Sequence, residues 1–122
     1  KLGQLDKITK HKQKLAALYF EGLDTNKYIL PAQESYYEDV FHIFSIRTKK
    51  RDQLKSYLLE KGIGSEIHYP VPPHKQEFIS GTLGNSYPVS EEIHMTTLSL
   101  PISYCHAEEQ IEEVIRVINS FQ

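Results

Sequence analysis

The sequence has few of the features that mark secreted, membrane-spanning or metal-binding proteins. It contains one cysteine, Cys105, no tryptophan and one methionine. A lone cysteine closes no intrachain disulfide and supplies no thiolate cluster for zinc, which favours a reducing compartment. No apolar run approaches the roughly 20 residues that span a bilayer, and the first residues lack a signal-peptide pattern. We therefore expect a cytoplasmic protein with no membrane partner.

An excess of charge of one sign is also missing. Fourteen basic residues oppose 16 acidic ones, which gives a formal net charge of −2. Such a balance provides no broad positive field for a phosphate backbone, so nucleic acid is excluded as a partner. The 6 histidines show no close helical spacing typical of a metal site. Glycine-rich phosphate loops and the GxSxG nucleophile pattern are absent as well.

What is present is the composition of one ordinary globular domain over residues 1–122. Apolar residues make up 39% of the chain and charged residues 25%, values that are typical of folded proteins. Periodic apolar positions predict four helices. The first spans 5–22, the second follows a cap at Thr48 and ends at Gly62, the third begins at Ser90 and the fourth at Ala107. Strands are expected at 27–31, 40–47, 65–69 and 98–101. This order predicts an α+β fold, a small antiparallel or mixed sheet covered by helices, with strand 40–47 in its centre.

The most distinctive segment runs from Ile67 to Gln76. A short strand ends there in Pro70, Pro72 and Pro73, which forbid regular structure. A rigid loop at a strand end can hold polar side chains at fixed positions, as a binding site requires. On these residues alone, packing of the prolines and a tyrosine against the sheet edge remains the alternative.

This segment, His68-Tyr69-Pro70-Val71-Pro72-Pro73-His74-Lys75-Gln76, resembles the H-Y-P-x-P-x-H-x-Q signature of DegT-type (DegT/DnrJ/StrS) aminotransferases. Those enzymes depend on pyridoxal phosphate, have the aspartate-aminotransferase fold (fold type I), and place amino groups on nucleotide-linked keto sugars. The resemblance extends to Phe44–Thr48, Leu58–Gly64, Tyr87–Glu91 and Leu98–Ile102, with order and spacing retained.

The resemblance implies that the chain is the carboxyl-terminal small lobe of such an enzyme, with residues 1–22 as the helix between the lobes. The parent would be a homodimer that uses pyridoxal phosphate, a nucleotide sugar and glutamate as amino donor, in amino-sugar biosynthesis. The large lobe, with its catalytic lysine and cofactor, is absent from the sequence. We therefore expect no catalytic, cofactor-binding or metal-binding residue here, and no activity from the chain alone.

For this lobe the resemblance implies a substrate-binding role for four residues, namely His68, Tyr69, His74 and Gln76. Gln76 has an alternative role as a cap for a short helix after it. Arg47 is interpreted as either an anion anchor or a member of a structural ion pair. After Gln76 the sequence departs from the family pattern with Glu77-Phe78 and a polar insertion at 80–86, so residue roles are not transferred beyond that point.

Two readings of the whole chain follow. The first is the substrate-closing lobe of a sugar aminotransferase, and the second is a free-standing, non-catalytic interaction module on the same scaffold. The first hypothesis predicts that Leu2, Leu5 and Ile8 lack their packing partner, because the large lobe would pack against them.

Overall fold

A computed structural model describes residues 2–79, 81–84 and 86–122. Lys1 and two residues of the polar insertion, Ser80 and Asn85, lie outside the described residues. The four helices of this part of the chain are α1 (Leu5–Gly22), α2 (Arg51–Glu60), α3 (Pro88–Thr96) and α4 (Glu108–Ser120), and its two strands are β1 (Phe44–Arg47) and β2 (Thr97–Leu100). Short 3-10 helices occupy Leu2–Gln4 and Pro73–Lys75. The predicted α+β class is confirmed.

The sheet is a narrow antiparallel pair. Phe44 lies opposite Leu100, and Arg47 lies opposite Thr97. Single bridges extend the pair on each side, from Ile29 to Arg47 and from Glu66 to Ser99. The expected strands at 27–31 and 65–69 are therefore reduced to one bridge each, because Pro31 and Pro70 follow closely and have no N–H to donate to a ladder.

The predicted start of the central strand at Val40 is wrong. The backbone of Phe41 has φ of 49°, a left-handed conformation that interrupts an extended strand. The Asp39 carboxylate accepts a hydrogen bond of 2.7 Å from the Phe41 N–H, which stabilises this turn. β1 consequently begins at Phe44, and the predicted central place is wrong as well: the described sheet has two strands, and on its other side β1 makes only the single bridge from Arg47 to Ile29.

The helix boundaries differ from the predicted ones in two places. Thr48 does not cap α2; its hydroxyl accepts the N–H of Lys50, at 3.2 Å, and the helix begins at Arg51. α3 begins at Pro88 rather than Ser90, since proline is favoured in the first turn, where its missing N–H costs nothing. The αL conformation of Gly62, with φ of 78°, follows the end of α2 as expected.

The core lies between the sheet and the two long helices α1 and α4. The rings of Tyr19 and Phe44 stack with 4.8 Å between their centroids. Buried tyrosines also bond across the core, since the Tyr19 hydroxyl donates to the Pro101 carbonyl at 2.6 Å and the Tyr28 hydroxyl to the Ile118 carbonyl at 2.8 Å. These bonds satisfy polar groups that would otherwise be costly to bury.

One end of α1 is less well covered. Leu15 and Tyr19 are fully buried, whereas Leu2 and Leu5 are exposed and Ile8 is half-buried. The apolar stripe of α1 therefore continues past the core that the described residues form. None of the helices described is long and apolar enough to cross a membrane.

Candidate functional site

The segment His68–Gln76, called here the proline corner, is fixed at both ends by backbone hydrogen bonds. At its start Glu66 and Ser99 exchange N–H···O bonds of 3.1 and 2.7 Å. At its end the 3-10 helix Pro73–Lys75 closes with a bond of 2.9 Å from the Lys75 N–H to the Pro72 carbonyl. The prolines between restrict the backbone further. The side chains of this corner are therefore presented from a stiff frame.

His68 and Tyr69 form the open face of the proline corner. Both residues are exposed, Tyr69 by 65%, and their rings meet edge to face at 5.4 Å. The Nδ1 atom of His68 lies 2.9 Å from the hydroxyl of the buried residue Ser99. The Tyr69 carbonyl accepts a hydrogen bond from Nδ1 of His94 in α3. The His68 ring and the Tyr69 backbone are thus held, while both side chains remain exposed.

His74 lies on the inner side of the corner, where it is only 8% exposed. Its Nε2 atom is 2.8 Å from one carboxylate oxygen of Glu91, and Lys75 approaches the other oxygen at 3.1 Å. The Tyr87 N–H donates to the same carboxylate at 3.2 Å, and the Tyr87 ring packs edge-on to His74 at 4.9 Å. Glu91 therefore joins the proline corner to the first turn of α3.

Gln76 ends the corner with an exposed side chain. Its amide donates to the Val71 carbonyl over 3.4 Å, a long bond that leaves the amide accessible. The alternative role as a helix cap is wrong, because the described residues between Gln76 and α3 form no helix. The structure thus brings His68 and Tyr69 together, and it places His74 behind the corner and Gln76 at its end.

A cleft with a volume of ≈ 240 Å³ lies between the corner and α3. Its lining combines apolar side chains with charged and imidazole groups, from Pro70, Val71, Pro72, Lys75, Glu91, His94 and Met95. The cleft is smaller than the roughly 300–1,000 Å³ of sites for drug-sized ligands, and none of the four predicted substrate residues lines it.

Arg47 takes the structural role among its two alternatives. Its guanidinium donates to the Glu92 carboxylate at 3.0 Å, and this partly exposed pair joins β1 to α3. Such a pair contributes no more than about 1 kcal/mol to stability.

Three contacts of this site were not found by sequence reasoning. Ser99 contacts His68 from 31 residues away in the chain, and Glu91 contacts His74 from 17 residues away. The third contact is the hydrogen bond from His94 to the Tyr69 carbonyl. The only sequence signal was a serine with an apolar residue on each side in each of two strands, at Ser45 and Ser99. A polar residue inside a core strand usually has a bonded partner.

Glu91 should remain ionised to unusually low pH. The hydrogen bond from His74, followed by those from the Tyr87 backbone and Lys75, lowers its pKa from 4.5 to about 2. A depressed carboxyl pKa contributes stability that is present above the unfolded pKa and is lost as pH falls from 4.5 to about 2.

An NMR titration of the Glu91 carboxyl carbon measures this shift, and His74→Ala is expected to move the midpoint upward because the largest stabilising bond is removed. His42→Ala, a change at an exposed histidine outside the corner, serves as control and should leave the midpoint unchanged. A midpoint near 4.5 in the unsubstituted chain would contradict the geometry.

Lys75, the lysine of the corner, forms an ion pair with the Glu91 carboxylate at 3.1 Å. Among residues 2–79, 81–84 and 86–122 there is no cluster of three or more histidine, cysteine or carboxylate side chains placed to hold a metal ion.

The chain is similar to known proteins over nearly its whole length. The pattern described as the DegT/DnrJ/EryC1/StrS aminotransferase family matches residues 1–119. A dTDP-3-amino-3,6-dideoxy-alpha-D-galactopyranose transaminase from Aneurinibacillus thermoaerophilus is 37% identical over 121 residues, which cover 99% of this chain and 33% of the relative. The chain thus spans about a third of the length of the curated relatives it matches.

Solved structures share the fold. The crystal structure of DesV from S. venezuelae superposes with a TM-score of 0.93 at 34% identity, over 97% of this chain and 33% of that one. A DegT DnrJ EryC1 StrS aminotransferase from Brucella abortus gives a TM-score of 0.90 at 29% identity, over 98% and 32% of the two chains. The described fold is that of the carboxyl-terminal lobe of these aminotransferases.

Proposed function

The chain belongs to the DegT/DnrJ/EryC1/StrS aminotransferase family, and on that premise we propose that it is the substrate-closing lobe of an enzyme that aminates nucleotide-linked keto sugars. The observation that carries the proposal is the 37% identity, over 99% of the chain, to a transaminase named for a dTDP-linked amino sugar. A relative named for a UDP-linked 3-dehydro sugar, from Acidithiobacillus ferrooxidans, is 36% identical over 88% of the chain. The shared chemistry is replacement of a sugar keto oxygen by an amine.

The whole of residues 1–122 is proposed to form this one lobe, with 1–22 as the helix that joins it to the large lobe. The exposed side chains of Leu2 and Leu5 support this assignment, because apolar residues at the start of an amphipathic helix normally have a packing partner. The remainder of a protein three times as long would supply that partner.

The proposed substrate contacts come from the proline corner. His68 and Tyr69 offer an imidazole and a phenol on its exposed face, suited to sugar hydroxyls or a diphosphate. Gln76 adds an accessible amide, and His74 contributes Nδ1, for which the described residues provide no partner. These four residues bind and orient the substrate, and the catalytic amine chemistry belongs to the rest of the parent enzyme.

Family membership supports three finer parts of the proposal. The parent binds pyridoxal phosphate through its large lobe, as membership of this aminotransferase family implies. Glutamate is the proposed amino donor, and a homodimer in the cytoplasm is the proposed assembly. In that dimer the corner would close over a substrate held mainly by the large lobe.

An aminotransferase assay of the full-length protein that contains this chain tests the proposal. With pyridoxal phosphate, glutamate and dTDP- or UDP-linked 3-keto sugars, mass spectrometry should detect the aminated sugar. Residues 1–122 alone should give no product under the same conditions, because the cofactor and its lysine are assigned to the large lobe. Turnover by residues 1–122, or no amine from a whole protein loaded with cofactor, would contradict the proposal; the second result would favour a non-catalytic module.

A further inference from the structure

A row of three polar groups runs from the sheet to the exposed face of the proline corner. The hydroxyls of Ser45 and Ser99 lie 2.9 Å apart, and the Ser99 hydroxyl lies 2.9 Å from Nδ1 of His68. Ser45 and Ser99 are directly opposite each other on β1 and β2. All four residues of β2 are buried, Ser99 being 5% exposed. The row therefore starts at the half-buried Ser45, passes through the buried Ser99 and ends on an exposed residue that can meet a ligand.

The donor direction along this row follows from counting protons. Each serine hydroxyl has one hydrogen to donate, and neutral imidazole has one N–H and one bare nitrogen acceptor. If Ser45 donates to Ser99 and Ser99 donates to His68, every hydroxyl hydrogen has an acceptor within the row. In the reverse direction the Ser45 hydrogen has no acceptor among the described residues. Ser45 is half-buried, so a hydrogen without a protein acceptor there is less well satisfied than in the first direction, which is therefore favoured.

We propose that the Ser45–Ser99 pair holds neutral His68 in the tautomer that carries its hydrogen on Nε2. In this state Nδ1 accepts from Ser99, and Nε2–H becomes a fixed donor at the open face of the corner. The ligand group that it recognises is an oxygen acceptor, either a sugar hydroxyl or a diphosphate oxygen. This last step rests on the proposed function, whereas the tautomer assignment does not.

The backbone keeps the row at bonding distance. Glu66 and Ser99 exchange two backbone hydrogen bonds, and His68 lies only two residues after Glu66. The imidazole therefore returns to the hydroxyl of the residue that anchors its own segment. Ser99 is a positioning residue in this scheme, because it acts on the ligand only through His68. Loss of its hydroxyl frees both the ring orientation and the tautomer.

The direct test is a measurement of the His68 ring nitrogens by NMR in the 122-residue chain and in three variants. The unsubstituted chain should show hydrogen on Nε2 and a Nδ1 signal displaced by an accepted hydrogen bond. In Ser99→Ala that signal should move toward the position of an unbonded imidazole that exchanges between tautomers. Ser99→Thr should restore the original signal, since threonine keeps the hydroxyl and suits a strand. Ser45→Ala should give a smaller displacement, because Ser99 loses its donor.

The fold of each variant is checked from its backbone amide spectrum, and the serine-to-threonine variant remains informative if the alanine variant does not fold. Hydrogen on Nδ1 in the unsubstituted chain would overturn the tautomer assignment. A Nδ1 signal that is the same with and without the Ser99 hydroxyl would also overturn it.

Binding of a dTDP-linked sugar to the whole protein separates this inference from the proposed function. Ser99→Ala is expected to weaken binding roughly threefold to tenfold, as for the loss of one ordered neutral hydrogen bond, and Ser99→Thr should recover it. Hydrogen on Nδ1 of His68 in a protein that binds the sugar normally overturns the inference and leaves the proposed function intact. A confirmed tautomer in a protein that binds no nucleotide sugar contradicts the proposed function alone.

Discussion

Replacement of Phe44 by alanine is expected to lower the free energy of unfolding by about 3–5 kcal/mol, the range for removal of a buried aromatic ring. Phe44 is fully buried at the start of β1, with its ring stacked on Tyr19 at 4.8 Å and edge-on to Phe20 at 5.1 Å. Removal of this ring leaves a cavity between the sheet and α1, and both partners lose contacts at once.

Urea unfolding monitored by circular dichroism measures this loss. Phe78 is 99% exposed, so Phe78→Ala removes the same side chain without a cavity and should change stability by no more than about 0.5 kcal/mol. Phe44→Leu keeps most of the volume and should cost less than about 1.5 kcal/mol, which covers the case in which the alanine variant is unfolded. Equal effects of the two alanine variants would show that the core is not built around β1.

The helices were predictable from the sequence, and the reason is local. In α4 the positions of Ile111, Val114 and Ile118 repeat at helical spacing, and all three are buried. A long periodic pattern averages over many residues, so it survives small errors at the ends. The boundaries were less secure because they depend on single residues, as the early start of α3 at Pro88 shows.

The strands were less predictable because their extent depends on neighbours that are distant in sequence. The segment before β1 is rich in β-forming residues, yet the positive φ of Phe41 interrupts it. The expected strands near Ile29 and Glu66 each make one bridge only. Strand propensity mostly reflects packing on a half-buried surface, and a sheet of two short strands offers little of that surface.

The candidate site was predictable as a segment but not as a network. The prolines and the family signature identify the corner, and they identify His68 and Tyr69 as accessible polar groups. The contact of His74 with Glu91 and that of His68 with Ser99 join residues 17 and 31 positions apart. No periodicity encodes such pairs, because they depend on how α3 and β2 pack beside the corner.

If this lobe contacts the sugar substrate and takes no direct part in the amine chemistry, as proposed, a change in the corner should slow the reaction with the sugar. The reaction with the amino donor alone should be unaffected. His68→Ala removes an exposed imidazole whose Nδ1 lies 2.9 Å from the Ser99 hydroxyl. Loss of a hydrogen bond to a charged acceptor such as a diphosphate costs about 1.5–3 kcal/mol, or roughly tenfold to a hundredfold in kcat/KM.

The most direct measurement is therefore kcat/KM for a dTDP-linked keto sugar, taken beside the rate of conversion with glutamate alone, in the whole protein and its His68→Ala variant. We expect a fall of roughly tenfold or more for the sugar and an unchanged rate for glutamate, with His42→Ala unchanged in both. An equal fall in both rates, or no fall for the sugar, would contradict a substrate-binding role for the corner.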